Sequence, residues 1–429
     1  MRRSLYLLFV ILLCAAAWTG NAHLRFVRLS KLTDAQIRLE SKYDPPFLKG
    51  VAFSTEIIEA GKNLEWKHLT GNALIRRYEA LNNQNQATVV AHGLAVLKNL
   101  ASSTPITWNV PATVDICAAT PDFKYIANFV RTQALIGRYL IAKGQSAQGA
   151  AVIESIAYIG AAICLTHPER NSLLPLTVAQ SIVEIAAKSF ILSTADFHPD
   201  RVQAKAIGEK LLHAASLLPP LSYSLSLERK YLSGFLAAYR KQAEKAHSSD
   251  ETKRAAEFEQ MLAKMEPHMQ KLYDPIIPLL DLSWSEGWPK ILSAVKANEE
   301  YMKNNISVSG PVAYVRGLLD PFESSAQIML NLGLPPFSRI FQSQWKISQM
   351  IEGARTVLAI EAFRTEQQRL PATLTELTTW WETPIGNDLF SGKPLIYDPK
   401  RPYLASVGPD QKDNTSDDID ILPLKDPVK

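Results

Sequence analysis

The sequence has no HExxH or HxxxH pair, no GxSxG elbow, no P-loop and no GxGxxG after a strand. Those absences exclude the motif-borne forms of helical zinc chemistry, nucleophile-elbow hydrolysis and nucleotide binding. The eight histidines, His23, His68, His92, His167, His198, His213, His247 and His268, are scattered, and no two stand four residues apart. SxxK occurs at Ser293–Lys296 and Ser343–Lys346, but the SDN and KTG companions that would give it catalytic meaning are missing. His167 and Glu169 flank Pro168 as a weak local pair that suits a loop after a helix. Glu154, Glu184, Glu228 and Glu352 lie in or beside apolar helical stretches, where carboxylates commonly turn to solvent or pair with an arginine. The sequence nominates no catalytic residue.

Cysteine is scarce as well. Of the three, Cys14 falls in the N-terminal apolar run, and neither Cys117 nor Cys164 belongs to a CxxC pair, which argues against a redox or zinc site. The latter two either pair in an oxidising compartment or stay as buried thiols. Charge of one sign is also lacking. Lys+Arg 46 against Asp+Glu 42 leaves +4 over 429 residues, too little to argue for nucleic acid. Hydrophobic residues at 47% supply ample core material, and the length suits two or three domains.

What is present begins with MRRSLYLLFVILLCAAAWTG. Arg2 and Arg3, an apolar run from Leu5 to Trp18 and a small-residue site ending at Ala22 describe a secretory signal. The other reading is an uncleaved anchor. Leu5 to Gly20 as a helix covers about 24 Å, short of a ~30 Å hydrocarbon core unless flanking residues snorkel. Both readings place the bulk of the chain outside the cytoplasm, in the periplasm.

Beyond the break at Asp44-Pro45-Pro46, apolar residues recur at three and four from Leu64 to Leu370, with no sustained alternation. Tyr125 to Gly144 predicts a helix stopped by glycine, and the next apolar stretch predicts its antiparallel partner in a helical hairpin. Ser172 to Leu192 and Arg201 to Leu218 predict two more, the second closed by Pro219-Pro220. A more polar helical region runs from Tyr223 to Lys271, broken near His247-Ser248-Ser249-Asp250. Pro275, Pro278, Pro289 and Pro311 are expected to chop the following chain into short pieces, before a long helix from about Gln344 to Arg369. Gly137, Leu140 and Gly144 sit at tetratricopeptide-like offsets, but the signature aromatics are absent and one partial match makes no solenoid.

Composition changes at Leu370. Thr373 with Glu376 forms a capping box opening a short helix. Pro394 to Asp398 and Tyr403 to Val407 predict a hairpin around Pro399-Lys400-Arg401-Pro402, with DIDIL as a third, edge-like strand. The expected fold is mainly α: an irregular helical-hairpin array over 23–340 after a leader or anchor at 1–22, and a small α+β unit over 341–429.

Between the last two strands lies SVGPDQKDNTSDDIDIL, with Asp410, Asp413, Asp417, Asp418 and Asp420 in eleven residues. Clustered carboxylates repel one another unless a cation sits between them, and Ca²⁺ takes six to eight hard oxygen ligands. An EF-hand is excluded, because Lys412, Asn414, Thr415 and Ile421 occupy its third, fifth, sixth and twelfth positions. A cation loop through Asp410, Asp413, Asp417 and Asp418, a solvated acidic tail and a docking surface for a basic partner all remain open on spacing alone.

The segment made of Ile351 to Arg369, Leu370-Pro371-Ala372-Thr373, Asp388 to Leu395, and Ser406 to Asp410 through Asp417-Asp418-Ile419 resembles the globular half of type II secretion major pseudopilins. The order and spacing of the family's helix, turn, strands and Ca²⁺ loop agree over this segment. The resemblance implies structural Ca²⁺ held by Asp410, Asp417 and Asp418 with nearby carbonyls. The chain departs from the family in its conventional leader and in the long helical region ahead of the similar segment, so polymerisation into a pilus is not implied. The helical part, with RTQALIGRYLIAKGQSAQGAAVIES, also resembles envelope proteins of unknown function that carry this tail. The expectation is a non-catalytic envelope scaffold with an unidentified protein partner. Its rivals are an envelope hydrolase built from sequence-distant residues and an accessory part of a secretion or pilus-like machine.

Overall fold

The computed structural model describes residues 55–62, 69–81, 91, 123–165, 173–229, 260, 263–305, 337–401 and 403–422. The leader with Cys14, the Asp44-Pro45-Pro46 break, Cys117, the His167–Glu169 pair, the break at His247 and Pro311 lie outside them. Helices dominate: α1 Thr55–Lys62, α2 Gly71–Glu79, α3 Phe123–Ala142, α4 Ser146–Leu165, α5 Leu173–Leu192, α6 Arg201–Ser216, α7 Trp284–Asn305, α8 Phe337–Gln367 and α9 Leu374–Trp381. Residues 221–229 and 263–273 are also helical, and Ile277–Leu279 form a 3₁₀ turn. The strands β1 Ile396–Asp398, β2 Tyr403–Ser406 and β3 Ile419–Leu422 make one antiparallel sheet in that order. The chain is thus mainly helical with a small three-stranded sheet, as the sequence pattern indicated.

The hairpin of α3 and α4 forms as glycine placement demands. Gly144 takes φ +83°, its amide donates to Ile141 O at 2.9 Å and the Gln145 amide to Leu140 O at 2.8 Å. That pair of bonds satisfies the last carbonyls of α3 and turns the chain back. The two backbones then touch. A Cβ on Gly149 would lie 2.5 Å from the Gly137 carbonyl oxygen, and one on Gly137 would lie 2.6 Å from Ile153 Cγ1. A Cβ on Gly160 would meet Ala179 O of α5 at 2.8 Å. α4 therefore sits against α3 and α5 at backbone distance, with α6 packed on it as well.

α4 and α5 are long and apolar enough to cross a membrane, but the most apolar window of α4 is 83% buried inside the protein. Burial on that scale is what a near-uniformly apolar helix at the centre of a bundle shows. Its one acid, Glu154, is 5% exposed and pairs with Lys210 of α6 at 2.6 Å. Burial pushes the Glu154 carboxyl up, and the lysine pulls against that. Cys164, in the last turn of α4, is buried at 2% exposure.

α7 corrects one expectation. Pro289 does not end a piece of chain; the helix runs through it for 22 residues. Pro289 is exposed and lies in the second turn, so one ladder bond is lost on the wet side while Trp284, Gly287 and Ile291 anchor the other. α8 begins earlier than expected, at Phe337, directly after Pro335-Pro336. From Gln349 to Phe363 nearly every residue of α8 is buried. Such a helix has neighbours all round: α5 and α6 on one side, α9, β2 and β3 on the other. Gly353 lets β3 approach, since a Cβ there would lie 2.7 Å from Ile421 Cδ1. One helix, continuous across position 340, is thus core to both the helical body and the C-terminal unit.

Because the α3–α4 contact is backbone on backbone, no rotamer change relieves an added side chain. Gly149→Val should lower unfolding free energy by about 3 kcal/mol, while the exposed Gln148→Ala should change it by less than about 0.5 kcal/mol. Denaturant melts of the two variants measure the difference; equal midpoints would mean that the helices are not in contact there.

Candidate functional site

The aspartate-rich loop hangs from α8. One face of that helix, at positions i, i+3 and i+7, carries Gln349, Glu352 and Thr356, all buried. The Gln349 amide works as a backbone mimic: its oxygen accepts from Leu389 N at 2.6 Å and its nitrogen donates to Asn387 O at 3.3 Å. Glu352 accepts from Gly386 N at 3.0 Å, with the Thr356 hydroxyl at 3.1 Å, and pairs through its other oxygen with Arg355 at 2.5 Å. Burial pushes the Glu352 carboxyl up, opposed by Arg355 and the Asn387 and Gly386 amides. This acid, expected to face solvent or meet an arginine, does the second and also holds a turn. Glu184 pairs with Lys188 at 2.6 Å, and Glu228 accepts from the Leu173 amide at the start of α5 at 3.2 Å.

The turn so held ends on Asp388, 1% exposed. One carboxylate oxygen accepts from Phe390 N at 2.9 Å and Ser391 N at 3.1 Å; the other accepts from Val407 N at 2.7 Å. Asp388 therefore ties the 388–393 turn to the end of β2, where the loop departs. The loop is held from the helical body too. The indole N–H of Trp284, at the start of α7, donates to Pro409 O at 3.3 Å. Trp284 is fully buried, stacked on Trp288 at 4.6 Å and on Phe341 at 5.5 Å, with Phe390 edge-on at 4.8 Å.

Beyond Pro409 the carboxylates point mostly at the loop's own donors. Asp417 accepts from Asp410 N at 2.8 Å and from the Thr415 hydroxyl at 2.6 Å. Asp418 lies 3.3 Å from that same hydroxyl and accepts from Thr415 N at 3.3 Å. Asp410 accepts from Lys412 N at 2.8 Å, and Asp420 accepts from the Tyr403 hydroxyl at 3.1 Å. Gly408, at φ +66°, is pressed so close to the Asp417 carbonyl that a Cβ would lie 2.1 Å from its oxygen. Asp410 and Asp413 are exposed, and Asp417 and Asp418 are half-buried.

The electrostatics show how concentrated this charge is. Burial first, then Asp420, Asp418 and Asp413, push the Tyr403 hydroxyl up to about 12. Partial burial also pushes the Asp417 carboxyl up. The Thr415 hydroxyl, the Asp410 and Asp417 amides and Lys346 together outweigh that and hold it below the usual carboxylate range.

Of the four predicted ligands, the structure links Asp410 to Asp417 and brings Asp417 and Asp418 to one hydroxyl; Asp413 stays exposed. Among the described residues no three His, Cys, Asp or Glu side chains are grouped to hold a metal ion. The donor set is all hard oxygen, which suits Ca²⁺ chemically, and closing it on an ion would require these internal hydrogen bonds to rearrange. The SxxK serines, Ser293 and Ser343, are exposed on helix surfaces. Comparison with family models, curated proteins and solved structures finds no match for this chain.

Spacing alone missed Trp284 and Gln349. Asp388 entered the sequence reading only as the head of the Asp388 to Leu395 stretch that carries the resemblance, with no role of its own. Asp388→Asn leaves at least one buried N–H without its acceptor and should cost about 2 kcal/mol of stability, whereas Asp413→Asn should be neutral within about 0.5 kcal/mol. Thermal melts of the two full-length variants check this, and equal losses would remove Asp388 as the anchor.

Proposed function

We propose that this is a non-catalytic binding or scaffold protein of the cell envelope, with a pseudopilin-like, Ca²⁺-stabilised C-terminal unit. The observation that carries the reading is the loop's construction. The connection between β2 and β3 is fixed at its base by Asp388 and Trp284, while Asp417 and Asp418 crowd one threonine hydroxyl. A loop pinned this way keeps its carboxylates together against their repulsion, which is the condition under which a divalent cation stabilises rather than merely associates. Asp410, Asp417 and Asp418, with Asp413 at the rim, would hold the ion, whose contribution is to neutralise that charge. The pseudopilin reading draws on the resemblance together with a long helix backing an antiparallel sheet.

The scaffold reading is supported by where the buried acids go. Glu154 and Glu352 each join elements that lie far apart in sequence, α4 to α6 and α8 to the 386–389 turn. The apolar N-terminal run, cleaved after Ala22 or retained as an inner-membrane anchor, supplies the envelope address.

The test is thermal unfolding of the full chain in EDTA, with Ca²⁺ or Mg²⁺ added back. Ca²⁺ at 100 times its Kd should add about 2.7 kcal/mol, a rise of several degrees in Tm. Mg²⁺ should give little, and Asp417→Ala/Asp418→Ala should abolish the shift. An unchanged Tm in Ca²⁺ would return the aspartates to a solvated acidic loop.

A further inference from the structure

The helical body and the C-terminal unit share a second contact, at the start of α6. The Arg201 guanidinium lies 5.0 Å from the Trp380 ring centre and pairs with Glu382 at 2.7 Å. Lys205 sits 5.5 Å over Trp381 and 3.5 Å from the same glutamate. The Arg201 amide donates to Glu366 of α8 at 3.0 Å. Within this joint stands Glu361 of α8, its side chain 8% exposed. Arg364, one turn along α8, pairs with it. His198, from the connection between α5 and α6, places Nδ1 4.0 Å from the Glu361 carboxylate and 3.4 Å from Arg364 Nη2. On the sheet side Tyr397 of β1 feels the Glu361 charge while its hydroxyl donates to Pro371 O at 2.9 Å.

The other charges around the joint are committed elsewhere. Glu184 and Lys188 of α5 pair with each other, Lys210 of α6 with Glu154, Arg369 with Glu376 of α9, and Asp398 of β1 with Arg401. Asp200 caps α6 through Gln203 N. Among the described residues Glu361 is thus a covered carboxylate between two parts of the molecule, paired with Arg364, which also contacts His198.

We propose that Glu361 makes this joint a proton-dependent latch, which closes more firmly as pH falls through neutrality and loosens in mild alkali. The direction follows from linkage. Burial pushes the Glu361 carboxyl up to about 7, with the charge of Arg364 and its hydrogen bond pulling the other way. When the joint opens, water reaches the group and its pKa returns toward the ordinary value of about 4.3. The closed joint therefore binds the proton more tightly than the open one. Its proton-linked stability is fully present below about 4.3 and is lost as pH rises through about 7.

Hydrogen exchange on the full chain at pH 6 and pH 8, corrected for intrinsic rates, reads the latch directly. Protection of peptides spanning 194–202 and 361–368 should be at least threefold higher at pH 6, while peptides inside α3, which carries no acidic residue, keep a constant ratio. Glu361→Gln, which cannot ionise, should show the protected value at both pH values; His198→Gln should retain the wild-type response. The idea is overturned by pH-independent protection in the wild type or by a persisting response in Glu361→Gln. Loss of the response in His198→Gln would also overturn it, because the titrating group would then be the histidine.

Discussion

A helix buried on every side must find a partner for each polar group it carries, and α8 is under that constraint for fifteen residues. Gln349, Glu352, Thr356 and Glu361 all lie in its buried stretch. An unsatisfied buried donor or acceptor costs about 1–3 kcal/mol, comparable with a large part of a domain's net stability. The first three therefore dictate where the 386–389 turn sits, and that turn dictates the position of Asp388. Asp388 in turn sets the departure of the aspartate loop from β2. The geometry of the loop is inherited from a helix whose other side packs on α5 and α6.

The loop is also tied to α7 by the Trp284 indole, so its base is fixed from two independent directions. What faces solvent is the outer arc, with Asp410 and Asp413 exposed. Internal hydrogen bonds from Thr415 and the Asp410 amide already offset part of the carboxylate repulsion. The loop is thus partly self-neutralised, and a cation would compete with those donors rather than fill an unoccupied cage.

Much of the framework was legible in the sequence because it is local. The Gly144 stop, the Thr373 cap and the Tyr403 strand all act within a few residues. The Thr373 cap forms as expected, although Glu376 reaches the Ala372 amide and Arg369 instead of closing the box on Thr373 itself. The site was less legible, because its fixing contacts join residues remote in sequence. Trp284 and Pro409 are 125 residues apart, and Gln349 and Leu389 are 40 apart. A polar side chain on an amphipathic helix reads as solvent-facing until the turn that satisfies it is known. Spacing alone left the convergence of four aspartates as one of three open readings, whereas the order of internal donors decided which two meet.

The close approach of α3 and α4 has a kinetic consequence. Those helices are joined by a three-residue turn, and α5 follows directly, so their contacts close short loops at low entropic cost. The contacts of α8 with α5 and α6 and of Trp284 with Pro409 close much longer loops, which slows their formation. The three-helix stack should therefore assemble first and offer a preformed surface on which α8 docks, drawing the sheet in after it. Pulsed hydrogen exchange during refolding would show α4 protected before β3 if this order holds, and simultaneous protection would rule it out.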